Sequence, residues 1–158
     1  MNKEQVEAVI REYIPQIIHM SLATVKDNKP WVCEVHFSYD DDLNLYFVSS
    51  SETRHAQEII NNPHVAGNIV TQHYKDQKVR CVEFEGTAEM LASAEAEQTA
   101  YQAYVDRYGA SEGLLNEIRK DGHTRFFKIT VNDFFLFDSY GDGRGKYHLP
   151  WASKRMEK

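Results

Sequence analysis

Two hydrophobic periods divide the chain. Near the N-terminus, Val6, Val9, Ile10, Tyr13, Ile14 and Ile17 recur at i, i+3, i+4 and i+7, which places them on one face of a helix. Pro15 ends or kinks that helix because its ring clashes with the preceding turn, so a helix is predicted over about residues 3–14. From His19 the period changes to two. Residues 19–25 read as a strand, and Asp27-Asn28-Lys29-Pro30 is a turn by composition. The clearest alternation follows, with Trp31, Cys33, Val35, Phe37 and Tyr39 on one face and Val32, Glu34, His36 and Ser38 on the other. Residues 43–50 form a third strand after the acidic turn Asp40-Asp41-Asp42, which reads as a solvated hairpin tip rather than a metal site.

A short helix follows, with hydroxyl N-cap candidates in Ser49-Ser50-Ser51-Glu52-Thr53 and a stop signal at Asn61-Asn62-Pro63. Strands are predicted at 64–71, 79–91 and 124–138. Gly86 marks a bulge or bend in the fifth, and Asn132-Asp133 a bend in the sixth. Ser93 caps a helix running to about Tyr108, Gly109 stops it, and Leu114, Leu115 and Ile118 mark a further helical stretch. The tail, about 140–158, contains Tyr140-Gly141-Asp142-Gly143-Arg144-Gly145 and reads as flexible. Six strands without regular β–α alternation exclude a doubly wound parallel sheet. They predict a mainly β fold, an antiparallel barrel with helices outside it, in one domain spanning 1–158.

Composition narrows the function classes. With 18 Lys+Arg against 24 Asp+Glu, the net charge of −6 disfavours nucleic-acid or anionic-membrane partners, which need a cationic face. No apolar run approaches the ~18 residues of a membrane span, and no signal-peptide core opens the chain, so a cytoplasmic protein is expected. Cys33 and Cys81 form no CxxC pair and read as reduced packing residues. The seven histidines contain no HxH or HxxxH pair, and no metal site is expected. GxSxG, HExxH, GxGxxG and GxxxxGK[ST] are all absent.

One segment carries chemistry. Ser49, Ser50 and Thr53 supply hydroxyl donors at a helix start, where free N–H groups and the positive end of the dipole favour an anion. Arg54 adds a planar fork suited to phosphate oxygens, and His55 adds one N–H, or two when protonated. The same residues also read simply as a capped helix with an exposed arginine.

Residues 51–70, SETRHAQEIINNPHVAGNIV, resemble the FMN-binding split-barrel proteins, the pyridoxamine 5′-phosphate oxidase-like superfamily. In that superfamily a strand runs into a [ST]-R-K motif, a short helix, an N-P pair and the next strand. Here Thr53-Arg54-His55 occupies the motif and Asn62-Pro63 the pair. His19-Met20-Ser21-Leu22-Ala23-Thr24-Val25 with its turn resembles the first hairpin of the family, and Gly86-Thr87-Ala88-Glu89 its G-[TK]-A-E strand. The composite T-R-H-A-Q resembles a bacterial branch near the general-stress-type proteins.

The resemblance implies a six-stranded antiparallel Greek-key split β-barrel. It also implies a homodimer with FMN in the groove between subunits, exchanging electrons with a small-molecule or nicotinamide-type substrate. Carried over, Arg54, His55, Ser49, Ser50 and Thr53 would hold the phosphate. Val32, Cys33, Glu34 and Val35 would edge the isoalloxazine ring, with Thr24 near it. Apart from the resemblance, Trp151, an indole in a polar tail, is expected to pack at the flavin or dimer groove, since indole stacks well on flat rings. A non-catalytic flavin or heme binder, and a deazaflavin protein, are the alternatives on the same fold. The strand Val32-Cys33-Glu34-Val35-His36-Phe37 lacks the basic residues of the R-x-V-L-L-K strand of true pyridoxamine phosphate oxidases, and His55 replaces the motif lysine. Vitamin B6 oxidation is therefore not expected.

Overall fold

The computed structural model describes residues 1–140 and 145–156. Helix α1 (Lys3–Tyr13) starts in a capping box, in which Asn2 Oδ1 accepts from the Gln5 backbone N–H and Gln5 Oε1 accepts from that of Asn2. Pro15 lies in a 3-10 turn, Ile14–Gln16, that leads into the sheet. Strands β1 (His19–Lys26), β2 (Lys29–Tyr39) and β3 (Leu45–Ser50) then run as antiparallel neighbours. Helix α2 (Arg54–Asn61) carries the chain across to β4 (His64–Val70), which pairs with β1 rather than β3, the Greek-key step. β5 (Arg80–Met90) pairs with β4. After α3 (Ala94–Tyr108) and α4 (Glu112–Asp121), the 15-residue β6 (Thr124–Asp138) pairs with both β5 and β3. That last pairing closes a six-stranded antiparallel barrel with flanking helices.

β3 begins two residues later than the hydrophobic pattern suggests. Leu43 has φ of +54°, and Asp40 folds the turn back on itself by accepting from the Asn44 N–H (2.9 Å), Asn44 Nδ2 (2.8 Å) and Tyr46 Oη (2.8 Å). Asp40 is therefore a turn-forming residue and not merely a solvated tip.

The bulge expected at Gly86 and the bend expected at 132–133 are one irregularity. Glu85 pairs with Asp133 and Gly86 with Val131, so Asn132 is the extra residue. Glycine is required there because a Cβ on Gly86 would stand 2.3 Å from the Thr130 carbonyl oxygen.

The tail departs from expectation. It contains β7 (Gly145–Leu149), which adds a seventh strand to the free edge of β6, and α5 (Trp151–Arg155). The glycine-rich residues 141–144, and 157–158, lie outside the described residues.

Two apolar clusters hold the fold. One fills the barrel with inward residues such as Leu22, Phe37, Phe47, Phe127 and Val131, closed by α1, α2 and Trp151. The other lies outside the barrel, where α3 and α4 bury Tyr101, Tyr104, Leu115 and Ile118 against Tyr46 and Phe126. Phe126 and Phe127 are adjacent yet both buried because β6 is covered on both faces. Arg107 fastens α3 by donating to the carbonyls of Phe37 (2.8 Å), Ile14 and Ile17, beside the Tyr108 hydroxyl, which also donates to Phe37 O (2.6 Å).

Candidate functional site

The site is built where β3 ends and α2 begins. Thr53 caps α2, accepting from the Ala56 N–H (3.4 Å), and its hydroxyl donates to Ser50 O (2.9 Å). Ser49 Oγ lies 2.8 Å from His55 Nε2 and 3.2 Å from Thr53 Oγ1, and the histidine nitrogen is 3.2 Å from Thr53 Oγ1. Three hydrogen-bonding side chains thus converge at the head of one helix. Ser50 is turned differently, and its hydroxyl accepts from the Glu52 N–H (3.2 Å). Burial against the barrel, where Phe47 lies 6.1 Å away ring to ring, pushes the His55 pKa below the ordinary histidine range. At neutral pH the imidazole is uncharged and contributes a single N–H.

Arg54 is held from two sides. Its Nε donates to Glu58 Oε1 (2.8 Å), one turn along α2, and its guanidinium carbon sits 4.2 Å from the centre of the Trp31 ring. Glu58 is only 4% exposed, and its other oxygen accepts from Thr24 Oγ1 at 2.6 Å. The Thr24 hydroxyl first, and then Arg54, keep the Glu58 carboxyl below the ordinary carboxylate range against the opposing effect of burial. The two terminal amino groups of Arg54 make no hydrogen bond among the described residues, and its side chain is 48% exposed. They are free to receive an anion.

The structure therefore brings together Thr24, Ser49, Thr53, Arg54 and His55, and adds Glu58 and Trp31. Glu58 carries a sequence signal, the i, i+4 spacing from Arg54, but reads locally as one more polar helix position. Trp31, which alternation places on the same face of β2 as the buried Val35 and Phe37, stays 37% exposed under Arg54.

The predicted ring edge divides in two. Val32 and Glu34 point outward, Val32 freely exposed and Glu34 accepting from the Ser21 hydroxyl. Cys33 points inward, with Sγ 3.9 Å from Leu22 O and its pKa raised by burial, and Val35 lies in the barrel core. A strand alternates, so four consecutive side chains cannot all line one ligand, and Cys33 and Val35 can offer it only their backbone.

Trp151 is a correction. It is fully buried in the barrel cluster, its indole N–H donates to Asp42 O (2.8 Å), and Phe134 meets it edge-on. It closes the core and is not placed to cover a ligand.

Outside β1 and β4 runs a groove of about 430 Å³ lined by Ala23, Thr24, Val25, Pro30, Ala66 and Glu85 among others. A neighbouring groove of about 390 Å³ shares Ala23, Ala66 and Glu85 and adds Val32 and Phe135. Thr24 joins this outer face to the Arg54 cluster. No helix among the described residues is long and apolar enough to cross a membrane.

The pyridoxamine 5′-phosphate oxidase family model matches residues 6–138, which contain every site residue named above except Trp151. The chain belongs to this family. A UPF0306 protein of Pasteurella multocida is 29% identical over 141 residues, covering 88% of this chain and 89% of its own. Among solved structures, Campylobacter jejuni ChuZ matches with a TM-score of 0.75 at 18% identity, over 94% of this chain and 61% of that one. HutZ, described as the heme storage protein of Vibrio cholerae, matches with a TM-score of 0.65 at 17% identity, over 93% of this chain and 94% of that one. The structural likenesses establish a shared split-barrel fold across this family member and its neighbours.

Proposed function

We propose that this family member is an FMN-binding oxidoreductase, with the FMN phosphate held at the head of α2. The observation that carries the reading is the convergence of Ser49, Thr53 and His55 at the head of α2, the helix whose first residue, Arg54, has terminal amino groups without a hydrogen bond among the described residues. The donor set fits a phosphate monoester, offering serine hydroxyls, one imidazole N–H, helix N–H groups and a guanidinium fork in a protein whose net charge is −6, while the Thr53 hydroxyl stays committed to Ser50 O. Bound FMN supplies two-electron chemistry toward a small-molecule or nicotinamide-type substrate. The chain's own contribution is to anchor the phosphate, to present the β1–β2 face with Val32 and Glu34 to the ring, and to exclude water. The grooves outside β1 and β4 are open on this chain, and a second copy in a two-fold dimer would close them.

The decisive experiment is calorimetric titration of the protein with FMN and with riboflavin, which lacks the phosphate. FMN binds tightly with a two-band flavin spectrum, and Arg54→Ala weakens it about ten- to several-hundred-fold, one or two hydrogen bonds to a charged group being lost. Riboflavin binds both proteins equally. Absence of FMN uptake by wild type, or an unchanged FMN affinity in Arg54→Ala, overturns the reading. A monomeric mass by light scattering removes the shared groove.

Heme is the second reading, favoured by one observation. His64 stands exposed on the wall of the 430 Å³ groove, and an imidazole is a common iron ligand. A Soret band that disappears in His64→Ala, with no flavin uptake, selects it.

A further inference from the structure

We propose that His19 and His36 form a two-histidine site for a divalent transition-metal ion of the copper, nickel or zinc type. They are direct cross-strand partners at the end of the β1–β2 ladder farthest from the hairpin turn. The Phe37 N–H donates to Ile18 O (3.2 Å), the bond that flanks the pair, so His19 and His36 are a non-hydrogen-bonded pair. In such pairs the side chains of antiparallel strands come closest. The two ring centres are 4.2 Å apart at an interplanar angle of 78°. Two nitrogens each about 2.0–2.1 Å from one ion stand no more than about 4.2 Å apart. Rotation about the soft χ2 bonds is therefore enough to aim a nitrogen from each ring at a common point.

Both side chains are exposed, and neither ring makes a hydrogen bond among the described residues, so nothing else employs their nitrogens. Imidazole selects copper, nickel and zinc over magnesium and calcium. Glu34, two residues before His36 on the same outward row, adds a negative charge beside the pair. No three His, Cys, Asp or Glu among the described residues are grouped to hold an ion, so water fills the remaining positions and the ion stays exchangeable. The pair lies five positions along β1 from Thr24, about 16 Å at strand rise, but only two along β2 from Glu34, which the flavin reading places toward the ring, so metal binding is measured on flavin-free protein.

The test is calorimetric titration of untagged, metal-stripped protein with NiCl2, with CuCl2 followed by electron paramagnetic resonance. One nickel ion binds per chain, the copper spectrum shows two nitrogen ligands, and MgCl2 gives no binding. His19→Ala and His36→Ala each weaken nickel binding at least tenfold, while His64→Ala and His123→Ala leave it unchanged. The mutated side chains are exposed, and circular dichroism checks that each variant is folded. No nickel binding by wild type at millimolar concentration, a copper spectrum with fewer than two nitrogens, or an unchanged affinity in either pair variant overturns the proposal.

Discussion

Arg54 Nε and Glu58 Oε1 meet at 2.8 Å across one turn of α2, joining an exposed guanidinium to a buried carboxylate. The pair does two things at once. It satisfies one oxygen of Glu58 inside the fold, and it fixes Arg54 by its Nε so that the fork of terminal nitrogens faces out. Thr24 completes the arrangement from β1, so the positioning of Arg54 is tied to the barrel.

Removing the Thr24 hydroxyl leaves a buried carboxylate oxygen without its donor. Thr24→Val is expected to destabilise the protein by about 1.5–3 kcal/mol, the range for a hydrogen bond to a charged group. Urea denaturation checks this. Thr24→Ser, which keeps the hydroxyl, should retain most of the stability.

The Glu58 carboxyl has a folded-state pKa below its unfolded value, so its contribution is present above about pH 4.5 and is lost as pH falls through the folded value. Glu58→Gln should therefore flatten the fall of stability below about pH 4.5 while lowering stability at pH 7. Denaturation midpoints measured between pH 3 and 7 read both effects. Parallel curves for the two proteins would exclude Glu58 as a source of acid sensitivity.

His55 titrates in the same direction by a different route. Burial lowers its folded pKa, so the unfolded chain takes up the proton first, and stability falls as pH drops below about 6.5 toward the folded value. NMR titration should show an imidazole shifted down from the ordinary range, and His55→Gln should remove that part of the pH dependence.

Trp151 closes the core from the far end of the chain. Trp151→Ala is expected to cost about 3–5 kcal/mol, the usual range for a fully buried indole, with loss of the bond to Asp42 O in addition. The readout is thermal or urea unfolding. A surface-like change below 1 kcal/mol would contradict its placement.

Gly67 allows β4 to lie close to β1 and to Phe84. A Cβ there would stand 2.3 Å from Ser21 O and 2.5 Å from the Phe84 ring. Gly67→Ala should destabilise by about 1–3 kcal/mol through overpacking, measured by urea unfolding.

Several of these features are legible in the sequence because they are local. Alternation in Trp31 to Tyr39, the helix stripe of α1, and the caps Thr53 and Ser93 each arise from residues a few positions apart. The donor-rich character of Ser49, Thr53, Arg54 and His55 is local as well. Glu58 was not legible as part of the site, because its meaning comes from Thr24, 34 residues earlier, arriving on another element. β7 was not legible either. Gly145-Lys146-Tyr147-His148-Leu149 alternates over too few residues to mark a strand by itself, and its strand conformation rests on the unpaired edge that β6 offers. Trp151 follows from this, since β7 delivers it to the barrel end.

By itself the sequence determined the six barrel strands, their antiparallel class, the helices between them and the donor-rich head of α2, because period, capping and turn chemistry act over a few residues. Tertiary structure alone decided that β6 closes the barrel on β3, that Arg54 is held between Glu58 and Trp31, and that Trp151 belongs to the core. Those outcomes depend on which residues distant in the chain share one desolvated space, where a buried carboxylate must find donors and an indole must find a carbonyl. A local pattern carries no record of such a partner.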